Sequence, residues 1–190
     1  MLTKSQLRIN LRASRDRLRA SEVNRRSAKI QHQLLKLPEI RNSRTLHVYV
    51  AVRQEVETRA LIESLWSQGK TVLVPVLSGA NELESFPLAD WSEIEINGYG
   101  RCSPIGGGRY TGPIDAIIVP GLAYTERGDR LGSGYGHYDR FLTAHSGAVS
   151  IAPAYQIQLL SEIPNEAHDQ QMDVIVTEDR VIRTQHNDAP

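Results

Sequence analysis

Residues 115–142, DAIIVPGLAYTERGDRLGSGYGHYDRFL, constrain the fold more than any other part of the chain. An apolar run at 116–119 stops at Pro120-Gly121. Arg130 follows, then Gly132, Gly134 and Gly136 at alternate positions, and Asp139-Arg140 open a second apolar pattern. A strand that ends in a glycine loop opening onto a helix is how α/β proteins seat phosphate. Glycine lets backbone N–H groups crowd round an anion, and the helix N-terminus adds partial positive charge. The flanking acid suits a magnesium ion on the same phosphates. A tight turn is the plain alternative for such a run; Arg130, Asp139 and Arg140 beside it favour the anion site.

The rest of the chain alternates in the same way. A basic helical segment is predicted over 1–37, capped by Thr3 or Ser5, with Leu7, Leu11, Leu18, Ile30, Leu34 and Leu35 at helical spacing and Pro38 as its stop. Strands are predicted at 46–52, 71–76, 115–119, 148–152 and 174–177, with short ones at 82–86 and 181–182. Helices are predicted at 58–68, stopping at Gly69, and at 138–144. Residues 97–113, rich in Gly and Pro, read as an irregular loop, and 185–190 as a frayed tail. Without internal repeats or long linkers, this pattern predicts one α/β domain over 1–190. Its mostly parallel sheet is covered on both sides.

Charge excludes some partners. The 22 Lys and Arg balance the 22 Asp and Glu, so no bulk charge argues for nucleic acid or a membrane surface. Before Lys36, however, Lys4, Arg8, Arg12, Arg15, Arg17, Arg19, Arg25, Arg26 and Lys29 face only Asp16 and Glu22. Cys102 is the single cysteine, which excludes an internal disulfide and fits a reducing compartment. No apolar run approaches the ~20 residues of a span, and the N-terminus lacks the apolar core of a secretory signal. Leucines at helical spacing argue against a transit peptide, so a cytoplasmic location is expected.

Several motifs favour a bland reading. Gly69-Lys70-Thr71 resembles the end of a P-loop but precedes a strand instead of following one, which makes it a helix stop. The glycine loop is not a dinucleotide fingerprint, because its last glycine would have to be His137. Six histidines and one cysteine give no zinc spacing. No Gly-x-Ser-x-Gly elbow is present and Cys102 has no identifiable partner, so nucleophilic catalysis lacks support. His137 beside Tyr138 is placed to touch a ligand, whereas His168-Asp169 serves equally well as a turn. Lys4, Arg8, Arg12 and Arg15 share one helix face, either solvated or gathering phosphates. Glu55-Val56-Glu57-Thr58 closes the first strand, where α/β proteins bind ligands, although Thr58 as a helix N-cap is the simpler account.

Taken together, these residues resemble the 5-formyltetrahydrofolate cyclo-ligase family. The likeness runs through Lys4 and Arg8, EVET at 55–58, Gly69-Lys70 leading into 72–75, and IIVPGLAY at 117–124. It continues through RLGSGYGHYDRFL at 130–142 and AYQIQLLSEIPNEAHDQQMDVIVTE at 154–178. The resemblance implies a three-layer α/β sandwich with a mostly parallel sheet, related to the sugar-phosphate isomerase and CoA-transferase-like group. It implies ATP- and Mg2+-dependent closure of 5-formyltetrahydrofolate to 5,10-methenyltetrahydrofolate, with release of ADP and phosphate.

By position, the resemblance gives ATP to Lys4 and Arg8 with Arg130, Leu131, Gly132, Ser133, Gly134, Tyr135, Gly136, His137 and Tyr138. The reduced folate falls to Val52 and Glu57 with Ser133, Gly134, Tyr135, Gly136 and His137. Asp139 and Asp173 would hold magnesium, and Arg130, Asp139 and Arg140 are the implied catalytic set. No nucleic acid or membrane partner is implied, and a monomer is the default expectation. The chain departs from the family pattern at Ser103, Tyr135 and His137, on what the resemblance makes the ligand side. Two other readings use the same features: another ATP-using enzyme on this scaffold, or a non-enzymatic folate- or nucleotide-binding protein.

Overall fold

The computed structural model describes residues 2–78, 82–96 and 102–184. The expected tail 185–190 and the first part of the loop expected at 97–113 lie outside them. The N-terminal segment forms two helices, α1 (Lys4–Asp16) and α2 (Ala20–Leu34). Thr3 caps α1 with a reciprocal box: its Oγ1 accepts from the Gln6 N–H at 3.3 Å, and the Thr3 N–H donates to Gln6 Oε1 at 3.0 Å. Pro38 does not simply stop the segment; it opens a short α3 (Pro38–Arg41) at a first-turn position that needs no N–H.

The sheet then begins with β1 (Thr45–Val48), followed by α4 (Arg59–Ser67), β2 (Thr71–Leu77) and β3 (Leu83–Pro87). β1 is shorter than the 46–52 expected. Thr58 explains where it ends: its hydroxyl donates to Tyr49 O at 2.7 Å and accepts from the Ala51 N–H at 3.1 Å, clamping the strand exit. Thr58 occupies the N-cap position of α4 but makes no capping bond there. Gly69, at φ +71°, terminates α4, and Lys70 Nζ donates to the carbonyls of Arg41 and Ser43 at 2.9 and 2.5 Å. The P-loop look-alike is structural.

Beyond β3 the chain forms β4 (Ile94–Ile96), β5 (Cys102–Pro104), β6 (Ala116–Ile118), β7 (Ala123–Tyr124) and β8 (Arg130–Leu131). The last elements are α5 (His137–Ala144), β9 (Val149–Pro153), β10 (Val174–Val176) and β11 (Val181–Arg183). The main sheet has seven strands in the order β11-β10-β9-β6-β1-β2-β3. Strands β10, β9, β6, β1 and β2 run parallel, and β3 and β11 are antiparallel edges. From β1 the chain fills the sheet toward β2 and later toward β6. The strand order therefore reverses between β1 and β6, which is where open α/β sheets bind ligands.

Alternation along each strand separates two cores. On one face Ile30, Leu34, Ile40, Leu61 and Leu65 from the helices cover Leu46, Val48, Val72, Ile118 and Ile151. On the other, Phe141 and Leu142 of α5 cover Leu73, Ile117, Ala152 and Ile175. Fully burying one such side chain contributes about 1.5–3 kcal/mol. The result is the three-layer sandwich with a mostly parallel sheet.

Two hairpins fall outside the expected pattern. β4 pairs with β5, placing a strand in the stretch expected to be loop. β7 pairs with β8 between β6 and the glycine loop, so the loop does not follow the strand directly. Thr125 and Asp129 fasten the β7–β8 turn: the Thr125 hydroxyl donates to Asp129 Oδ2 at 2.6 Å. Leu7 and Leu11 of α1 pack on Ala123, Leu131 and Ile163. That contact lays α1 across the end of the sheet.

His47 is the fully buried polar side chain of β1. Its Nδ1 lies 2.9 Å from Ser85 Oγ, its Nε2 has no partner, and the Phe141 ring centroid is 4.5 Å away. Burial, then His145, lowers its pKa from 6.5 to about 3. The unfolded chain takes up this proton first as pH falls, so stability is lost below about pH 6.5 and levels off near the folded value. Linkage gives a loss of about 2 kcal/mol between pH 7 and pH 5. Urea denaturation at both values should show it in the parent and not in H47L/S85A, which removes both partners together. An equal loss in the double variant would assign the acid sensitivity elsewhere.

Candidate active site

A cavity of about 860 Å³ opens at the carboxyl ends of the parallel strands, between α1, the β7–β8 hairpin, the glycine loop and residues 164–169. Lys4, Arg8, Arg12 and Arg15 line it along α1, a reach of roughly 16 Å at 1.5 Å per residue. The basic stripe therefore lines the cavity, from a buried Arg15 to an Arg12 that stays exposed. Arg8 Nε donates to Gly132 O at 3.0 Å and Arg12 Nη2 to Ser133 O at 3.2 Å. These bonds occupy two loop carbonyls that would otherwise repel an anion. Gly134 at φ +106° and Gly136 at φ +67° take left-handed backbone, and a Cβ at Gly134 would stand 3.2 Å from Arg8 Cζ. Gly136 is the N-cap of α5, whose N-terminus thus points at the loop.

Arg130 and Asp139 form a nearly buried ion pair: Nη2 lies 2.7 Å from Oδ1, with side chains 4% and 17% exposed. Arg130 Nη1 also donates to Pro120 O at 3.4 Å, while its buried Nε has no partner. Asp139 Oδ1 accepts a further bond from the Gln170 N–H at 3.3 Å. Lys4 Nζ reaches Asp169 Oδ2 at 2.5 Å and Glu166 Oε1 at 3.2 Å. Burial alone would raise the Asp169 pKa, but bonds from Lys4 and the Glu166 N–H outweigh it and hold the carboxyl below its ordinary range. One end of the cavity is thus a cluster of acids with a cation already among them.

The structure brings together most of the residues expected at the site. Lys4, Arg8, Val52, Arg130, Gly132, Ser133, Gly134, Tyr135, Gly136, His137, Tyr138 and Asp139 all line the cavity. Leu131 is on the wall as well, but its side chain is spent in the core beneath α1. Tyr135 is 72% exposed and stacks on His137 with centroids 5.5 Å apart, so the two rings cover the loop rather than filling the cavity.

Four of the expected residues are placed outside the cavity. Asp173 lies at the opposite end of the sheet, before β10, where its Oδ2 accepts from the Ser150 N–H at 2.7 Å and hydroxyl at 2.8 Å. It lines a separate crevice with Glu39 and Arg183, so it does not meet Asp139. Arg140 is on the far side of the loop, its Nη1 donating to Tyr135 O at 3.2 Å. Glu57 does not line the cavity; its N–H donates to Ser27 Oγ at 3.0 Å and its carbonyl accepts from Gln31, anchoring that turn on α2. Ser103 belongs to the β4–β5 hairpin, opposite Glu95, away from the cavity.

In their place stand Glu55, Arg12, Arg15, Glu166 and Asp169. The His168-Asp169 pair is the sequence signal for Asp169. Asp173→Asn should leave the magnesium requirement unchanged while costing about 1–3 kcal/mol of stability. Thermal denaturation beside a magnesium titration checks both halves.

The oxygen donors fit magnesium, a hard ion that keeps several waters and takes one or two carboxylates plus phosphate oxygens. Asp139 and Asp169 share the acid end of the cavity, and Lys4 shows that it accepts a cation. Among the described residues no group of three or more His, Cys, Asp or Glu is placed to hold a metal alone. Among the same residues, no helix is long and apolar enough to cross a membrane.

The reversal of strand order, the glycine loop and the basic helix define an α/β protein with a basic cleft at the carboxyl ends of its strands. The probable 5-formyltetrahydrofolate cyclo-ligase of Schizosaccharomyces pombe is 32% identical over 200 positions, covering 96% of this chain and 98% of that protein. The 5-formyltetrahydrofolate cyclo-ligase of Escherichia coli strain K12 is 31% identical over 156 positions, 78% of this chain and 86% of the relative. The solved 5,10-methenyltetrahydrofolate synthetase of Aquifex aeolicus superposes with a TM-score of 0.86 at 30% identity, over 100% of this chain and 96% of that one. Residues 1–178 match the 5-formyltetrahydrofolate cyclo-ligase family, and the chain belongs to it.

Proposed function

We propose that this chain closes 5-formyltetrahydrofolate to 5,10-methenyltetrahydrofolate, consuming ATP and releasing ADP and phosphate. The observation that carries the reading is the division of one cavity. Arg8, Arg12 and the glycine loop occupy its middle, Asp139, Glu166 and Asp169 with Lys4 one end, and Val52 and Glu55 with Arg15 the other. An N-formyl oxygen is a poor leaving group until phosphorylated; once it is, the N10 amine can attack the formyl carbon and phosphate departs. Such transfer depends on positioning and charge neutralisation more than on an enzyme nucleophile.

Arg8, Arg12 and the loop 132–136 bind and orient the phosphates, and Arg130 neutralises charge at the transferring group. Asp139 and Asp169 would hold the magnesium ion. When bound, that ion supplies charge neutralisation on the phosphate oxygens. With Asp169 engaged by the ion, Lys4 would be released to a phosphate oxygen, exchanging one anionic partner for another. The folate lies toward Val52 and Glu55. The test is ADP release with and without 5-formyltetrahydrofolate. Release that requires the folate supports the reading. Folate-independent hydrolysis favours another ATP-using enzyme, and binding without turnover favours a sequestering protein.

A further inference from the structure

We infer that Glu55 is the general base that takes the N10 proton during ring closure, with Arg15 positioning its carboxylate; the inference rests on the cyclo-ligase reading. The carboxylates lining the cavity are Glu55, Asp139, Glu166 and Asp169. Arg130 and the Gln170 N–H hold Asp139, and Lys4 holds Asp169 and Glu166, all at the end suited to metal and phosphate. Glu55 stands apart, beside Arg15 near the other end of α1.

Its Oε2 accepts from the Val52 N–H at 3.2 Å, and its Oε1 lies 3.5 Å from Arg15 Nη1. The carboxylate is oriented on both sides without a short two-pronged lock. Arg15 is itself buried, 8% exposed, and its Nε has no partner. The groups around Glu55 are Arg15 from α1, Glu57 from its own segment, and Tyr49, Tyr124 and Tyr138 from β1's exit, β7 and α5. The Tyr155 hydroxyl donates to the Glu55 carbonyl at 2.9 Å, and Arg53 and Arg130 share the cavity wall. Burial raises the proton affinity of Glu55, and Glu57 adds to it; Arg15 and the Val52 N–H oppose both. A positioned carboxylate with raised proton affinity is what proton removal near neutral pH requires.

In the step, the N10 lone pair forms a bond to the phosphorylated formyl carbon. The N10 proton passes to a Glu55 oxygen, and the N–H electron pair returns to N10. The carbon–oxygen bond then breaks, its pair leaving with inorganic phosphate, and N10 and N5 share the remaining positive charge. Glu55 returns its proton to solvent. No oxidant or further reactant is needed.

The experiment compares parent, E55Q, E55D, R15M and R15K enzymes across a pH series with saturating Mg-ATP and 5-formyltetrahydrofolate. E55Q should lower kcat about 10²- to 10⁴-fold, leave the KM for ATP unchanged and lose the acid limb of the kcat profile. R15M should move that limb to higher pH, because the opposing cation is gone, and R15K should return it toward its original position. The R15M shift and partial activity of E55D decide the matter even if E55Q does not fold. An E55Q enzyme with parental kcat and acid limb overturns the proposal, as does a rise in folate KM alone. A parent enzyme that makes no methenyl product overturns the cyclo-ligase reading first, and the proposal with it.

Discussion

Asp169→Asn and Asp139→Asn should each raise the magnesium concentration needed for half-maximal activity by about ten- to a hundredfold. Each removes one charge-assisted oxygen contact, worth roughly 1.5–3 kcal/mol. The two differ in their side effects. Asp139 neutralises a nearly buried Arg130 at 2.7 Å, so its loss also leaves a buried cation uncompensated, at a cost of about 3–5 kcal/mol in stability. Asp169 faces Lys4, both side chains 15% exposed, and its loss leaves Lys4 with Glu166 at 3.2 Å as a second partner, so it should cost less. Magnesium titrations of kcat with a thermal melt of each variant separate the effects. Unchanged magnesium dependence in both variants would remove the pair from the metal site.

Arg8→Ala should raise the KM for ATP about ten- to a hundredfold, on the same strength of a charged bond to phosphate. The loop depends on Arg8 as well, since Arg8 Nε holds the Gly132 carbonyl at 3.0 Å. Gly134→Ala should move in the same direction, because a methyl there meets the Arg8 guanidinium and strains a φ of +106°. Folate KM should change little in either variant. If both changes alter only melting temperature, Arg8 is a loop brace and the phosphates bind elsewhere.

Much of this architecture was legible from residue pattern. Buried parallel strands read as short apolar runs, which is why 71–76 and 115–119 appear nearly as expected in β2 and β6. The β7–β8 hairpin was not legible, because two-residue strands carry no periodicity and Ala123 and Leu131 become apolar partners only once α1 lies over them. The site divides in the same way. The glycine loop and the basic stripe announce themselves by spacing. Which acid joins Asp139 depends instead on the side of the sheet a residue occupies. Asp173, next to a strong strand signal, precedes β10 and so lies at its amino end; Asp169, four residues earlier in an irregular segment, reaches across to Lys4. Glu55 and Glu57 share one turn, and only the fold shows that Glu57 has its main chain anchored on α2 while Glu55 faces the cavity.

The central claim is that a single cavity couples ATP cleavage to closure of the folate ring. Following ADP and the near-ultraviolet absorbance of the methenyl product in one reaction of purified protein, Mg-ATP and 5-formyltetrahydrofolate tests it most directly. Equal amounts of the two products, formed together and only when both substrates are present, are the expected result. ADP accumulating without the chromophore would contradict the coupling.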